Sequence, residues 1–163
     1  MEFLEWIAQT GLSSWIRESS SIWAYPAIIT LHSAGLAVMV GLSGVVALRI
    51  LGFAPGLPLS AMDRVYPAMW VGFSVNAVSG VALIISDPVG MLSNPLFLVK
   101  MLLIAAAVAN LVLIHRRVLR SAEARAGIVP SGGRRLAVAL IVLWIAATTT
   151  GRLTAYLGAR ALM

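Results

Sequence analysis

The 163-residue chain has no cysteine, which excludes disulfides, iron–sulfur clusters and thiolate metal sites. Charge is scarce as well: 11% of residues are charged and six are acidic, all at the margins of apolar runs. Without a carboxylate pair, a glycine-rich phosphate loop or a Ser–His–Asp arrangement, hydrolysis and phosphoryl transfer have no candidate residues. The start, MEFLEWIAQTG, lacks a basic n-region and does not read as a cleaved signal peptide. There is one lysine, Lys100, and there are two histidines, His32 and His115.

What is present is hydrocarbon. Hydrophobic residues make up 60% of the chain, and the mean hydropathy is +0.95. A soluble domain of this size cannot bury so much apolar surface, so the main solvent is expected to be lipid. Four runs, about 22–48, 65–86, 95–114 and 136–158, are each long enough for a helix to cross roughly 30 Å of hydrocarbon. Their backbone groups must be satisfied internally, and they lack the alternation of barrel strands, so helices are expected. The expectation is one all-α domain over 1–163, an integral membrane up-down four-helix bundle. Phe3, Trp6, Ile7, Trp15 and Ile16, mixed with charges, predict an N-terminal interfacial helix. Ser19–Ser21 is expected to cap the first span, with Pro26 in its first turn.

The net charge of +6 is unevenly placed. Arg49 and Arg64 fall in the first connection, and Arg116, Arg117, Arg120, Arg125, Arg134 and Arg135 in the third. This pattern predicts a lipid partner and no nucleic acid, with those connections cytoplasmic and both termini periplasmic. Arginine outnumbers lysine eleven to one, the bias of a GC-rich bacterial genome, which points to a bacterial inner membrane.

Counting residues gives depth. His32 falls about 14 Å inward of Trp23, and Asn76 about 15 Å inward of Ser86, so both sit near the midplane. Arg152 and Lys100 lie within about 9 Å of the outer ends of the fourth and third spans. Four-residue spacing aligns Trp144, Thr148, Arg152 and Tyr156, and likewise Gly72, Asn76 and Gly80. His32, Gly35, Met39 and Ser43 share a face of the first span. Met101, Ala105, Val108, Val112 and His115 share one of the third, with Lys100 beside it. Turned inward, these stripes predict an outer polar pocket of His32, Asn76, Thr148, Lys100 and Arg152.

Each residue has two readings. Arg152 and Lys100 either snorkel, with Asp87 as a possible ion-pair partner, or hold an anionic group such as a carboxylate, a propionate or a quinone oxygen. His32 either stitches helices together through Asn76 or a carbonyl, or serves as a haem or metal ligand or a proton carrier. His115, followed by two arginines, reads as a solvated helix end. It lies too far from His32 in depth for both to bind one haem. Met39 and Met101 offer soft ligands for haem iron or copper, and each is also ordinary packing material.

The segments LHSAGLAVMVGLSGVVALRILG, NPLFLVKMLLIAAAVANLVLIHRR and TGRLTAY resemble, in order and spacing, a family of small four-helix bacterial membrane proteins of unknown function. The matching positions are His32, Leu48, Arg49, Asn94, Pro95, Lys100, Gly151 and Arg152, and the likeness runs from Ser14 onward. That family commonly has an acid before its Leu-Arg pair, where this chain has Ala47. It is distantly similar to the copper-resistance protein D group and to membrane b-type cytochromes. The resemblance implies the four-helix fold.

Three functions follow as expectations. The first is a small redox-linked subunit, electron-transfer or accessory rather than catalytic, binding haem b or a quinone. His32 would then be ligand or donor, with Lys100, Arg152, Asn76 and Thr148 around the group. The second is a copper-handling or transport protein using His32, Met39 and Met101. The third is a cofactor-free structural subunit. In each case other membrane or periplasmic subunits, or a second copy of the chain, are expected partners.

Overall fold

The computed structural model describes residues 2–160, less the side chains of Ala155 and 157–160; Met1, the Arg160 side chain and the C-terminal end lie outside that description. Described residues form helices and turns only. α1 (Glu2–Ala8) and α2 (Gly11–Glu18) precede α3 (Tyr25–Leu51), and a 3-10 segment (Leu59–Val65) leads into α4 (Tyr66–Ser86). After a short α5 (Pro88–Leu92), α6 (Pro95–Ile114) runs into a π-helical turn (His115–Leu119). α7 (Ala122–Arg125) and α8 (Gly133–Arg160) complete the chain. Among the described residues, four helical stretches are long and apolar enough to cross a membrane: Tyr25–Leu51, Leu59–Ser86, Pro95–Leu119 and Gly133–Thr154.

Helix starts follow local chemistry. Proline stands in the first turn of α3, α4, α5 and α6, where its missing N–H costs nothing. Asn94 caps α6 by accepting from Leu96 N. The expected serine cap of α3 is not formed. The residue before α3 is Ala24, without a side-chain cap, and Ser21 Oγ instead accepts from Trp23 N inside the preceding turn.

The single N-terminal helix expected from the sequence is broken in two. Thr10 donates its hydroxyl to Ile7 O, ending α1, and accepts from Ser13 N, starting α2. α2 lies against α4, burying Ile16 and Ser13. Ser13 Oγ and Arg17 Nη1 both donate to Ser86 O at the C-terminal end of α4. A cation there also complements the helix dipole. Phe3, Trp6, Trp15 and Trp23 remain exposed.

The close helix pairs are α3 with α4, α6 with α8, and α3 with α8; α4 and α6 are not such a pair. α3 therefore occupies a central position. Its buried face runs Gly35, Met39, Ser43, Val46 and Ile50; of the face expected from spacing, Gly35, Met39 and Ser43 are buried and His32 is half-buried. α6 departs from expectation. Met101 and Ala105 are exposed, and the buried residues of α6 are Phe97, Ala107, Asn110, Leu111 and Ile114. α6 is apolar almost all round, broken only by Lys100 and Asn110, so no polar stripe marks which side turns inward.

The α3/α4 contact is backbone on backbone. A Cβ on Gly35 would lie 2.7 Å from both Asn76 N and Gly72 O. Gly35→Ala is therefore expected to push the helices apart and cost about 1–3 kcal/mol. Gly41 has nothing within 4 Å, and Gly41→Ala is expected to be neutral or stabilising by roughly 0.5–1 kcal/mol. Melting of the two variants in detergent checks this, and equal shifts would contradict it.

Candidate functional site

In the N-terminal half of α3, α3 and α4 exchange polar groups. His32 Nδ1 lies 3.0 Å from Asn76 O, and Asn76 Nδ2 donates to His32 O at 2.8 Å. A carbonyl can only accept, so Nδ1 carries the proton. The 3.3 Å approach of Asn76 Nδ2 to the same nitrogen is then a donor facing a donor, not a hydrogen bond. Ser79 Oγ lies 3.3 Å from Nδ1 and donates to Val75 O. Gly80 makes this possible, because a Cβ there would lie 3.2 Å from His32 Cε1. The stitching arrangement read from His32 and Asn76 is thus formed, and it leaves Nε2 without a partner among the described residues.

Lys100 comes from α6. Its side chain lies across Gly151 of α8, where a Cβ would stand 3.4 Å from Lys100 Cε and 3.7 Å from Nζ. Nζ is 5.9 Å from the centre of the Phe97 ring. It has no hydrogen-bond or ion-pair partner among the described residues. Lys100 of α6 thus lies against α8, while α3 and α4 supply the His32–Asn76–Ser79 cluster.

Arg152 does not join it. The α8 stripe begins inside the protein at Trp144, is half-buried at Thr148, and is exposed at Arg152 and Tyr156. Arg152 has no acceptor among the described residues, so the inward-pointing arginine expected from the sequence is corrected to an exposed one. Asp87 is not its partner, because Asp87 Oδ1 accepts from Gly90 N and caps α5. The four-residue spacing drifts around the helix, since 3.6 residues make a turn. A stripe that starts inward at Trp144 has turned outward two turns later.

The methionines are separated too. Met39 is buried in the core, about 10 Å along α3 from His32, and Met101 is exposed. These two therefore do not gather with His32 around one ion. Among the described residues, no three His, Cys, Asp or Glu side chains are grouped to hold a metal.

A groove between α3 and α8 supplies a cavity of about 140 Å³. Val40, Ser43, Leu140, Ile145, Trp144 and Thr148 line it. Ser43 donates to Met39 O, and Thr148 to Trp144 O, so both hydroxyls are engaged. Trp144 is 4% exposed and its Nε1 has no acceptor among the described residues. A buried donor left unmet costs roughly 1–3 kcal/mol, a deficit that a ligand acceptor would relieve.

At the opposite end, His115 is not a solvated terminus. Its Nε2 lies 2.7 Å from Asp63 Oδ1, and its ring stacks on Tyr66 with centroids 3.7 Å apart. The π-helical turn that starts at His115 sits here, a distortion common at functional sites. Sequence reasoning missed this pair; the available signal was an acid and a histidine at the same arginine-rich end. It also missed Asn110, whose Nδ2 donates to Leu136 O and ties α6 to α8.

A double-mutant cycle on His32→Ala and Asn76→Ala is expected to give a coupling of roughly 0.6–1.7 kcal/mol, the range for hydrogen bonds between membrane helices. Additive losses in unfolding free energy would show that the crossing is held by packing alone. No family model, characterised protein sequence or solved structure matches the chain, so its own geometry carries the functional reading.

Proposed function

We propose that the chain is a multi-pass protein of a bacterial inner membrane, an up-down four-helix bundle that binds a quinone head group. Its redox-linked role is electron-transfer or accessory, beside other membrane or periplasmic subunits or a second copy. The observation that carries the ligand reading is the buried, unpartnered indole N–H of Trp144, a residue that lines the α3/α8 groove. A groove of about 140 Å³ is close to apolar cavities of about 150 Å³ that take up benzene. The surrounding Val40, Leu140 and Ile145 suit a flat ring and its apolar tail. Trp144 Nε1 would donate to a quinone carbonyl.

Thr148 lines the groove, and Lys100 stands near Gly151, about one turn outward along α8. A bound quinone would supply two-electron, two-proton carriage. The protein's part is to orient the ring and exclude water from its carbonyl. Haem b fits less well. The Asn76 carbonyl on Nδ1 leaves His32 Nε2 as a ligand atom, but the ring lies against Gly80, and the other histidine, His115, is engaged with Asp63 at the far end, so no second imidazole meets it. Copper finds no soft ligand set, with Met39 and Met101 apart.

Trp144→Phe keeps the ring and removes the donor. Titration of the full chain in detergent with a short-chain ubiquinone analogue is expected to saturate. Affinity should fall about tenfold in the variant, the loss expected for one hydrogen bond of roughly 1.4 kcal/mol. Unchanged affinity, or no saturable binding to the parent chain, would contradict the reading. A Soret band from the purified protein would replace quinone with haem b.

The arginine-rich connections are proposed as cytoplasmic and the aromatic N-terminal helices as lying on the periplasmic face. A reporter inserted near Gly127 is expected inside the cytoplasm and one fused after Met163 outside. The reverse pattern would overturn the orientation.

A further inference from the structure

A second cavity, of about 620 Å³, lies at the arginine-rich end, away from the α3/α8 groove. Its walls come from the end of α3, the loop after it, and the turn that starts α8. Arg49, Arg134 and Arg135 line it, and no aspartate or glutamate does. The only acids near this end are Asp63, held by His115, and Glu123. Three arginines thus line one space that has no acidic residue in its walls.

Arg49 is the fixed element. It is 9% exposed, and it folds back along the loop, donating Nε to Leu57 O and Nη2 to Pro55 O. Its Nη1 has no partner among the described residues. Gly52, which ends α3 at φ 108°, turns the chain sharply enough to bring the Pro55 and Leu57 carbonyls onto that side chain. Across the cavity, Gly132 at φ 82° opens α8, and the N–H groups of Arg134 and Arg135 have no acceptor among the described residues. A buried arginine, two exposed ones and a helix start with unbonded N–H groups therefore border one space. That donor set matches a phosphate, which takes bidentate contacts from arginine and dipole stabilisation from a helix start.

We propose that this cavity binds the phosphate of an anionic phospholipid headgroup from the adjoining leaflet. Basic pockets between apolar helices at a membrane surface are suited to such headgroups, and acyl chains would run along the exposed apolar flanks of α3 and α8. The site is independent of the quinone reading, because it shares no residue with the α3/α8 groove.

The test is retention of phosphatidylglycerol by the full chain, measured by native mass spectrometry after purification from nanodiscs. One set contains phosphatidylglycerol in phosphatidylcholine, and the other phosphatidylcholine alone with added inorganic phosphate. The parent chain is expected to keep phosphatidylglycerol at least tenfold over phosphatidylcholine. Arg134→Gln with Arg135→Gln is expected to lose that preference, and Arg116→Gln with Arg117→Gln, exposed at the same end but outside the cavity, to keep it. Equal loss in both double variants would reduce the effect to surface charge and overturn the site. Retention of inorganic phosphate as strong as that of the lipid would overturn the lipid as occupant. Absence of any preference in the parent chain would overturn the proposal altogether.

Discussion

The structure depends on how closely α3 and α4 approach each other. At Gly35 and Gly72 no side chain separates the backbones, and a Cβ on Gly72 would meet Val38 at 2.8 Å and Gly35 O at 3.0 Å. Contact at that range sets the axial register of the two helices. In that register His32 reaches the Asn76 carbonyl while Asn76 reaches the His32 carbonyl. Two polar side chains that would otherwise be costly in an apolar setting thereby satisfy each other. α3, fixed in this way, meets α8 across the groove lined by Val40, Ser43 and Gly44, and α8 in turn carries α6.

Chemistry is spread along the helix axes rather than gathered at one point. Toward the N-terminal side of α3 lie the His32–Asn76 crossing and the Lys100 ammonium. Farther along are the α3/α8 groove and the Trp144 indole, and at the far end the Asp63–His115 pair and the arginine cavity. The middle level carries the strongest indication of a ligand, because a buried N–H without an acceptor is uncommon in a well-packed protein. The His32–Asn76 level is structural in its visible bonds, with His32 Nε2 and Lys100 still open to further partners among the described residues.

Much of this was legible in the sequence. The four apolar runs match the four long helices within a few residues, since hydrocarbon length is written directly in composition. Depth counting placed His32 and Asn76 at one level, and the Gly72–Asn76–Gly80 spacing marked the face that meets α3. Legibility failed where a property depends on which neighbour a helix meets. α6 carries no stripe to reveal its inward side, so Met101 was expected inside and is exposed. Arg152 shared a stripe with Trp144, but the helical period carries the two to different environments. Asp63 and His115 are 52 positions apart, and only the assembled fold brings the 3-10 segment beside the π-helical turn. Arg49 looked like a loop charge; its burial depends on the path of the Pro55–Leu57 loop around it.

The central claim is that the His32–Asn76 exchange locks the α3/α4 crossing. It is tested most directly by solid-state nitrogen NMR of the ¹⁵N-histidine-labelled chain in lipid, with ¹³C in the asparagine carbonyls. The account predicts a His32 ring protonated at Nδ1, with a dipolar contact from Nδ1 to the Asn76 backbone carbonyl. A ring with Nδ1 bare, or with no contact to that carbonyl, would contradict it.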